Sequence, residues 1–486
     1  MRMSWTVLPG HVQGPRPDLA PAPPDRPVEL DIVLAEDAPR LGGGAVAALL
    51  RHLDESGCAR LAVDGPAGVV ELQADVRAVR RAFGVDLMVD REDRLWPARE
   101  PELPRALARL AAAVVGLSAE RPARVPRRHP RPLAEAPKGY RPADIAQAYA
   151  YAGLAAGGAA RRAALLEFDS GFRQADIDLF CHEMGLPRLV PRVATIDRGR
   201  VDPGLEAQDL EATLDLEWLW AAAGGGEVWF IEAPTGTTDA AFAVHVVDAL
   251  RRALRLAPDV LSVSYGDGEL VLPPAVLRAT DLLVQRLGGV GTDTFVASGD
   301  QGAAGVAPAA GPTGPQVDYP ALCPHAIAVG GTHLEFGDGM LQEFGWTDTN
   351  DNGASGGGYS QVFAAPPAQE PFLPKGRTGR GVPDLALDAD PDTGYQVVFQ
   401  AELQVVGGTS VAAPVAAGAS LRLRDAVGGR PTLADKVYAL PSDAFRDILT
   451  GDNSYAGVAG YRCTPGWDPV TGRGAPLFAE ILAALR

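Results

Sequence analysis

The chain has 486 residues, room for two or three domains, and its 47% hydrophobic content supports a large buried core rather than disorder. A formal net charge of -17 and a pI near 4.9 exclude nucleic acid as the main partner and suit an acidic medium, where carboxylates protonate. No apolar run approaches the length of a membrane span. Cys58, Cys181, Cys323 and Cys463 lack metal-ligand spacing and read as isolated buried thiols.

Residues 1–26 are Pro-rich and polar; they read as a flexible leader and carry no evident secretory signal. Residues 27–35 alternate like a strand, 45–55 like a helix, and 59–74 like a hairpin around Asp64-Gly65-Pro66-Ala67-Gly68. A helix over 76–83, a strand over 86–90 and a helix over 103–115 complete a small α+β unit. Residues 121–132 hold five arginines, one histidine and four prolines with no acid. Such a stretch cannot fold alone, so 121–136 is read as a linker and a region open to processing.

From Tyr140 onward strands and helices alternate. Strands are expected over 228–233, 260–264, 294–297 and 326–329, and helices over 238–255 and 274–287. This rhythm predicts an α/β fold with a mainly parallel sheet flanked by helices. In such sheets a site lies beyond the carboxyl ends of the strands. Asp300, in Ser298-Gly299-Asp300, falls there, as does the turn before Ser410. The loops 350–358 and 371–394 are long and rich in glycine and proline, which suggests a functional surface.

Val405-Val406-Gly407-Gly408-Thr409-Ser410 leads from an apolar run through two glycines into an Ala-rich helix. A serine at a helix N-terminus is either an N-cap or a nucleophile. A nucleophile needs a base. No histidine follows Ser410, and Ala412 stands where a G-x-S-x-G elbow needs glycine, which excludes the α/β-hydrolase order. Asp169-Ser170-Gly171 resembles the subtilisin aspartate motif, but His182, in Cys181-His182-Glu183, lacks the expected His-Gly context. His245 sits mid-helix among apolar residues. A carboxylate base remains. The helix expected over 205–223 places Glu211 and Asp215 on one face, one turn apart, beside a Leu210, Leu214, Trp218 stripe. Like charges at that spacing either share a proton or are solvated surface acids.

Taken together, Glu211/Asp215, Ser298-Gly299-Asp300 and Gly407-Gly408-Thr409-Ser410 with Pro414 resemble the sedolisin (serine-carboxyl peptidase) family. Ser262-Val263-Ser264-Tyr265-Gly266, Ser355-Gly356-Gly357-Gly358 and residues 379–395 extend the resemblance from about residue 137 to the C-terminus. It implies a subtilisin-like peptidase domain over 137–486 and an N-terminal α+β (ferredoxin-like) prodomain over 1–120. By the same resemblance Ser410 is the nucleophile, Glu211 its general base, Asp215 the partner sharing a proton with Glu211, and Asp300 the oxyanion donor. Ser262, Ser264, Tyr265, Gly266, Gly356 and Gly357 are the implied substrate-binding residues. Asp447, Ile448, Thr464, Gly466 and Asp468 resemble the family's calcium loop, with Thr464 where glycine is usual, and imply one Ca²⁺. Tyr265 and Ala368 stand where the family often carries tryptophan.

The resemblance implies an acid-acting endopeptidase made as a self-processing zymogen, monomeric and secreted. Its implied partners are polypeptide substrates and its own prodomain, with neither nucleic acid nor membrane. The competing readings are a calcium-dependent binding protein without activity and a neutral subtilisin-like peptidase; the missing well-placed histidine argues against the latter.

Overall fold

The structure is a computed structural model and describes residues 4–12, 19–38, 43–91, 93–117, 139–196, 207–235, 239–306, 314–337, 340–347, 353–428, 433–434 and 436–486. The expected linker and processing region at 121–136 lies outside the described residues. Two compact units emerge. One comprises Met1–Ala123, Pro234–Arg255 and Val271–Arg286; the other comprises Arg124–Ala233, Leu256–Leu270 and Leu287–Arg486.

The first unit is built on a four-stranded antiparallel sheet in the order Ala59–Asp64, Val69–Asp75, Pro27–Leu34, Ala111–Val115. Its helices are Gly43–Ser56 and Val76–Phe83, the second opened by the Asp75 carboxylate accepting from Ala78 N at 2.7 Å. Two expectations fail here. The leader contains strands: Trp5–Val7 pairs with Glu102–Pro104, and Ala20–Pro21 pairs with Met88 and Val89. The helix expected over 103–115 is instead a strand end, one helical turn at Arg105–Ala108, and the strand Ala111–Val115. That alanine run has helical propensity, but its backbone is claimed by the buried edge of Pro27–Leu34, and tertiary pairing overrides propensity. Carboxylates from the sheet meet two arginines of the helix Asp239–Leu256. Arg255 donates to Asp64 Oδ2 at 2.9 Å, and the buried Arg251 donates to Glu71 at 3.2 Å.

The second unit carries the expected α/β sheet. Its order is Arg192–Thr195, Glu227–Ala233, Arg162–Phe168, Val260–Val263, Asp293–Ala297, Ile327–Gly337, Met340–Gly345, with Leu385–Asp388 also paired to Ile327–Gly337. Every pairing is parallel except the terminal one between Ile327–Gly337 and Met340–Gly345. The run Val405-Val406 belongs to a separate hairpin, Tyr395–Phe399 with Glu402–Val406, and not to this sheet. Two helices of this unit matter most, Ala207–Ala223 (the acid helix) and Thr409–Val427 (the serine helix). They pack on one another and close over the sheet.

From Asp209 to Ala223 every residue of the acid helix is buried, as is every residue of the serine helix from Thr409 to Leu421. The acid helix is therefore enclosed all round rather than amphipathic. Small residues permit the contact. A Cβ on Gly418 would stand 2.5 Å from Leu219 O and 2.7 Å from Ala222 Cβ, so only glycine allows this approach. Gly418 lies eight residues beyond Ser410, and Leu219 eight beyond Glu211, so parallel helices held there bring the serine and the glutamate together. The four cysteines are buried and none forms a disulfide among the described residues, and no helix among the described residues is long and apolar enough to cross a membrane.

Candidate active site

The serine helix begins after Gly408, whose φ of 116° lies outside the range that side chains favour. Ser410 is thus the second helical residue, inside the first turn, which removes the N-cap reading. First-turn N–H groups have no acceptor within their own helix, so the Ser410 N–H points to where an anion would lie. The Asp300 carboxylate holds this turn from the neighbouring loop. Thr409 N donates to Asp300 Oδ1 at 2.8 Å, and the Thr409 hydroxyl donates to it at 3.0 Å. Oδ2 lies on the Gly408 side, where an added Cβ would stand 2.8 Å from it.

The acid helix supplies Glu211 and Asp215, 9% and 0% exposed. Solvated surface acids are excluded. Burial, then the Asp215 carboxyl, push the Glu211 pKa well above the ordinary carboxylate range, while the hydrogen-bonding Ser410 hydroxyl pulls it back. Burial, then the charge of Glu167, push Asp215 the same way. Glu167, next to last in the strand Arg162–Phe168, is itself fully buried and raised, chiefly by burial. The carboxyls therefore run from Ser410 through Glu211 and Asp215 to Glu167.

Proline explains one link in this row. Within a helix the Ser410 carbonyl would accept the N–H of residue 414, and Pro414 has none. Ser264 Oγ, just past the strand Val260–Val263, lies 3.2 Å from that carbonyl and 3.1 Å from Asp215 Oδ1. A carbonyl only accepts, and a hydroxyl carries one proton. Both contacts are made when Ser264 donates to Ser410 O and receives from a protonated Asp215. The raised pKa of Asp215 agrees with that assignment.

Of the other residues singled out in the sequence, Ser262 and Tyr265 are buried near the ends of the same strands. Gly266, Gly356 and Gly357 are close-approach points for backbone: added Cβ atoms would meet Tyr319 O at 2.3 Å, Ser298 O at 2.1 Å and Pro469 O at 2.0 Å. Glu167 was not anticipated. Its signal was present, a single acid inside the apolar run Ala163-Ala164-Leu165-Leu166-Glu167-Phe168, since lone buried acids are rare without a task. His333, the last histidine of the chain, is held by Asp390 at 2.8 Å and Glu335 at 3.1 Å.

In the C-terminal loop Gly466 N donates to Asp447 Oδ2 and Thr464 N to Asp468 Oδ2, each at 3.0 Å. Asp468 Oδ1 also accepts from Val470 N and Thr471 N, each at 2.9 Å. Among the described residues there is no group of three or more His, Cys, Asp or Glu side chains able to hold a metal.

Beside the Asp300 turn, burial raises Asp318 to about 8 and Asp267 to about 6. An acid whose pKa is higher folded than unfolded binds more protons in the native state, so stability falls as pH rises between the two values. For Asp318 that window runs from its ordinary 3.8 to about 8. Asp318→Asn keeps an acceptor for Val306 N, which donates to Oδ1 at 2.8 Å. It is expected to flatten the loss of stability between about pH 4 and pH 8 by on the order of a few kcal/mol. Denaturant unfolding at both pH values checks this; an unchanged slope refutes it.

A serine inside a helix N-terminus, beyond the carboxyl ends of a parallel sheet, is the architecture of a subtilisin-like serine peptidase. The Subtilase family profile matches residues 234–438. Kumamolisin of Bacillus sp. (strain MN-32) is 34% identical over 454 residues, covering 86% of this chain and 79% of that protein. Human tripeptidyl-peptidase 1 is 30% identical over 332 residues, covering 63% and 55%. The solved structure of Pseudomonas sedolisin, a serine-carboxyl proteinase complexed with two molecules of pseudo-iodotyrostatin, aligns with a TM-score of 0.62 and 26% identity, covering 72% of this chain and 98% of that one. The chain is a serine-type peptidase. It belongs to the sedolisin family, on the kumamolisin-like side.

Proposed function

We propose that this chain is an acid-acting serine-carboxyl endopeptidase made as a self-processing zymogen. The observation that carries this reading is the contact of Ser410 with a dry carboxyl row in place of a histidine. Ser410 Oγ attacks the scissile carbonyl carbon while its proton passes to Glu211. The negative charge reaches the carbonyl oxygen, next to the Ser410 N–H and Asp300. Collapse breaks the C–N bond, the amine leaves with the proton from Glu211, and water hydrolyses the acyl-serine by the reverse roles.

Acid pH follows from the oxyanion donor. Asp300 can donate to an oxyanion only when protonated, and such a donor supports about 3–4 kcal/mol of transition-state stabilisation. Glu211 must be ionised to take the serine proton, so its raised pKa strengthens it as a base and sets the acid limb of the profile. Residues 1–120 are read as the prodomain and 121–136 as the cleaved segment. Ser262, Ser264, Tyr265, Gly266, Gly356 and Gly357 are read as lining the substrate cleft.

The test is incubation of the purified full chain at pH 4 and pH 7.5, beside Ser410→Ala. Cleavage between about residues 121 and 137 is expected at pH 4 only, and not in the variant. Equal processing at pH 7.5 would falsify the carboxyl mechanism. No processing or peptidase activity at either pH would favour the inactive calcium-dependent binding protein.

The loop at Asp447 and Asp468 is read as a Ca²⁺ site by its donor chemistry: two hard carboxylates bound to one backbone segment, where the Ile448, Thr464 and Gly466 carbonyls would supply further oxygen ligands. The ion would pin the C-terminal loop and take no part in the reaction. Chelation is expected to lower the unfolding temperature and added Ca²⁺ to restore it; indifference to both removes the assignment.

A further inference from the structure

Asn453 is fully buried, 0% exposed, at a point where several loops of the second unit meet. Its Nδ2 lies 3.0 Å from the Ser355 carbonyl, 3.2 Å from that of Gly357 and 3.2 Å from that of Pro469. Tyr461 N donates to its Oδ1 at 2.8 Å. Carbonyls only accept and a backbone N–H only donates, so these partners admit one orientation of the amide. Two amide hydrogens serve three carbonyls, and the amide oxygen is engaged as well.

Two of those carbonyls belong to the glycine segment 355–358, and that segment is laced to both sides of Asp300. Gly356 N donates to Gly299 O at 2.8 Å, Ala354 N to Asp300 O at 3.0 Å, and Gly302 N to Ala354 O at 3.0 Å. The backbone of Asn453 reaches the same loop: Ala303 N donates to Asn453 O at 2.8 Å, and a Cβ on Gly302 would stand 2.3 Å from that oxygen. Pro469 O ties in the C-terminal loop. Ser355 Oγ makes the same connection, donating to Val470 O at 2.6 Å and accepting from Gly331 N at 2.9 Å.

We propose that Asn453 is a positioning residue of the catalytic site, which locks the glycine segment against the loop that presents Asp300. The Asp300 carboxylate is already tied to the serine turn, since Thr409 N and its hydroxyl donate to Oδ1. The Asp300 backbone needs a second support, and the segment 354–356 gives it. Without the Nδ2 donors the Ser355 and Gly357 carbonyls lose a buried partner, and the segment relieves this by turning its peptide groups. Gly356 N then leaves Gly299 O, and the loop carrying Asp300 shifts with it. A displacement of about 1 Å at a reacting group costs roughly 10²-fold in rate.

This inference rests on the reading of Asp300 as oxyanion donor, and its test separates the two. Self-processed wild type, Asn453→Asp and Asn453→Ser are assayed on a quenched fluorescent peptide from pH 3 to pH 6. Rates are expressed per folded molecule, counted by circular dichroism. Aspartate keeps the shape of asparagine; protonated it donates one hydrogen bond, and ionised it donates none and turns a charge on the three carbonyls. Serine keeps one uncharged donor at every pH. The expected result is a kcat about 10²-fold below wild type in Asn453→Asp near pH 6, with the deficit shrinking toward pH 3. Asn453→Ser is expected to lose about ten-fold without that trend. Wild-type kcat per folded molecule overturns the proposal, since a merely structural role lowers only the folded fraction. A rise in KM alone also overturns it, because Asp300 would then have stayed in place. If one variant fails to fold, the other carries the test. Wild-type kcat in Asp300→Ala, measured beside them, defeats the reading of Asp300 itself.

Discussion

Glu211→Gln is expected to lower kcat at pH 4 by about a thousand-fold or more while the chain stays folded. Glutamine keeps the volume and the acceptor oxygen facing the Ser410 hydroxyl, but it cannot take a proton from it. The burial that raises the Glu211 pKa disfavours the ionised side chain, so a neutral isostere relieves that cost and stability should hold or rise. This separates the variant from core substitutions, which lose activity by unfolding. A single-turnover measurement of acyl-enzyme formation, with thermal unfolding beside it, is the check. Near-wild-type acylation would mean that another group serves as base.

Asp300→Asn should move the alkaline limb of the pH–rate profile upward, whereas Asp300→Ala should cost about 10²–10³ in kcat across the profile. The geometry favours a working amide. Thr409 N and its hydroxyl both donate to Oδ1, which selects the orientation in which an amide oxygen faces Thr409 and Nδ2 takes the place of Oδ2 beside Gly408. An amide donates at every pH, so under the proposed mechanism the variant keeps its oxyanion donor in neutral medium. If the Asn profile superimposes on that of wild type, Asp300 does not set the alkaline limb. Any remaining decline in the Asn variant must then come from another group.

The candidate residues were legible because they sit in local patterns. The spacing of Glu211 and Asp215 is a helical period, Ser298-Gly299-Asp300 follows an apolar strand, and Gly408-Thr409-Ser410 enters an Ala-rich helix. What stayed hidden was non-local. Nothing within the sequence around Ala111–Val115 says that its backbone pairs with Pro27–Leu34, so helical propensity misleads there. Glu167 and Glu232 are 65 residues apart and become neighbours only through strand register.

The sequence by itself determined the strand–helix rhythm, the serine at a helix start, the carboxyl pair one turn apart and the proline that leaves the Ser410 carbonyl without its helical donor. Those are consequences of backbone periodicity and of single side chains. Only the tertiary structure decided that the acid helix is buried on every side, that it lies parallel to the serine helix at glycine contact distance, and that Ser264 links Asp215 to the Ser410 carbonyl. The physical reason is desolvation. A carboxyl pair on a surface helix is two ordinary charges in water; enclosed beside Glu167, the same pair is held well above the ordinary carboxylate range and retains protons that water would remove.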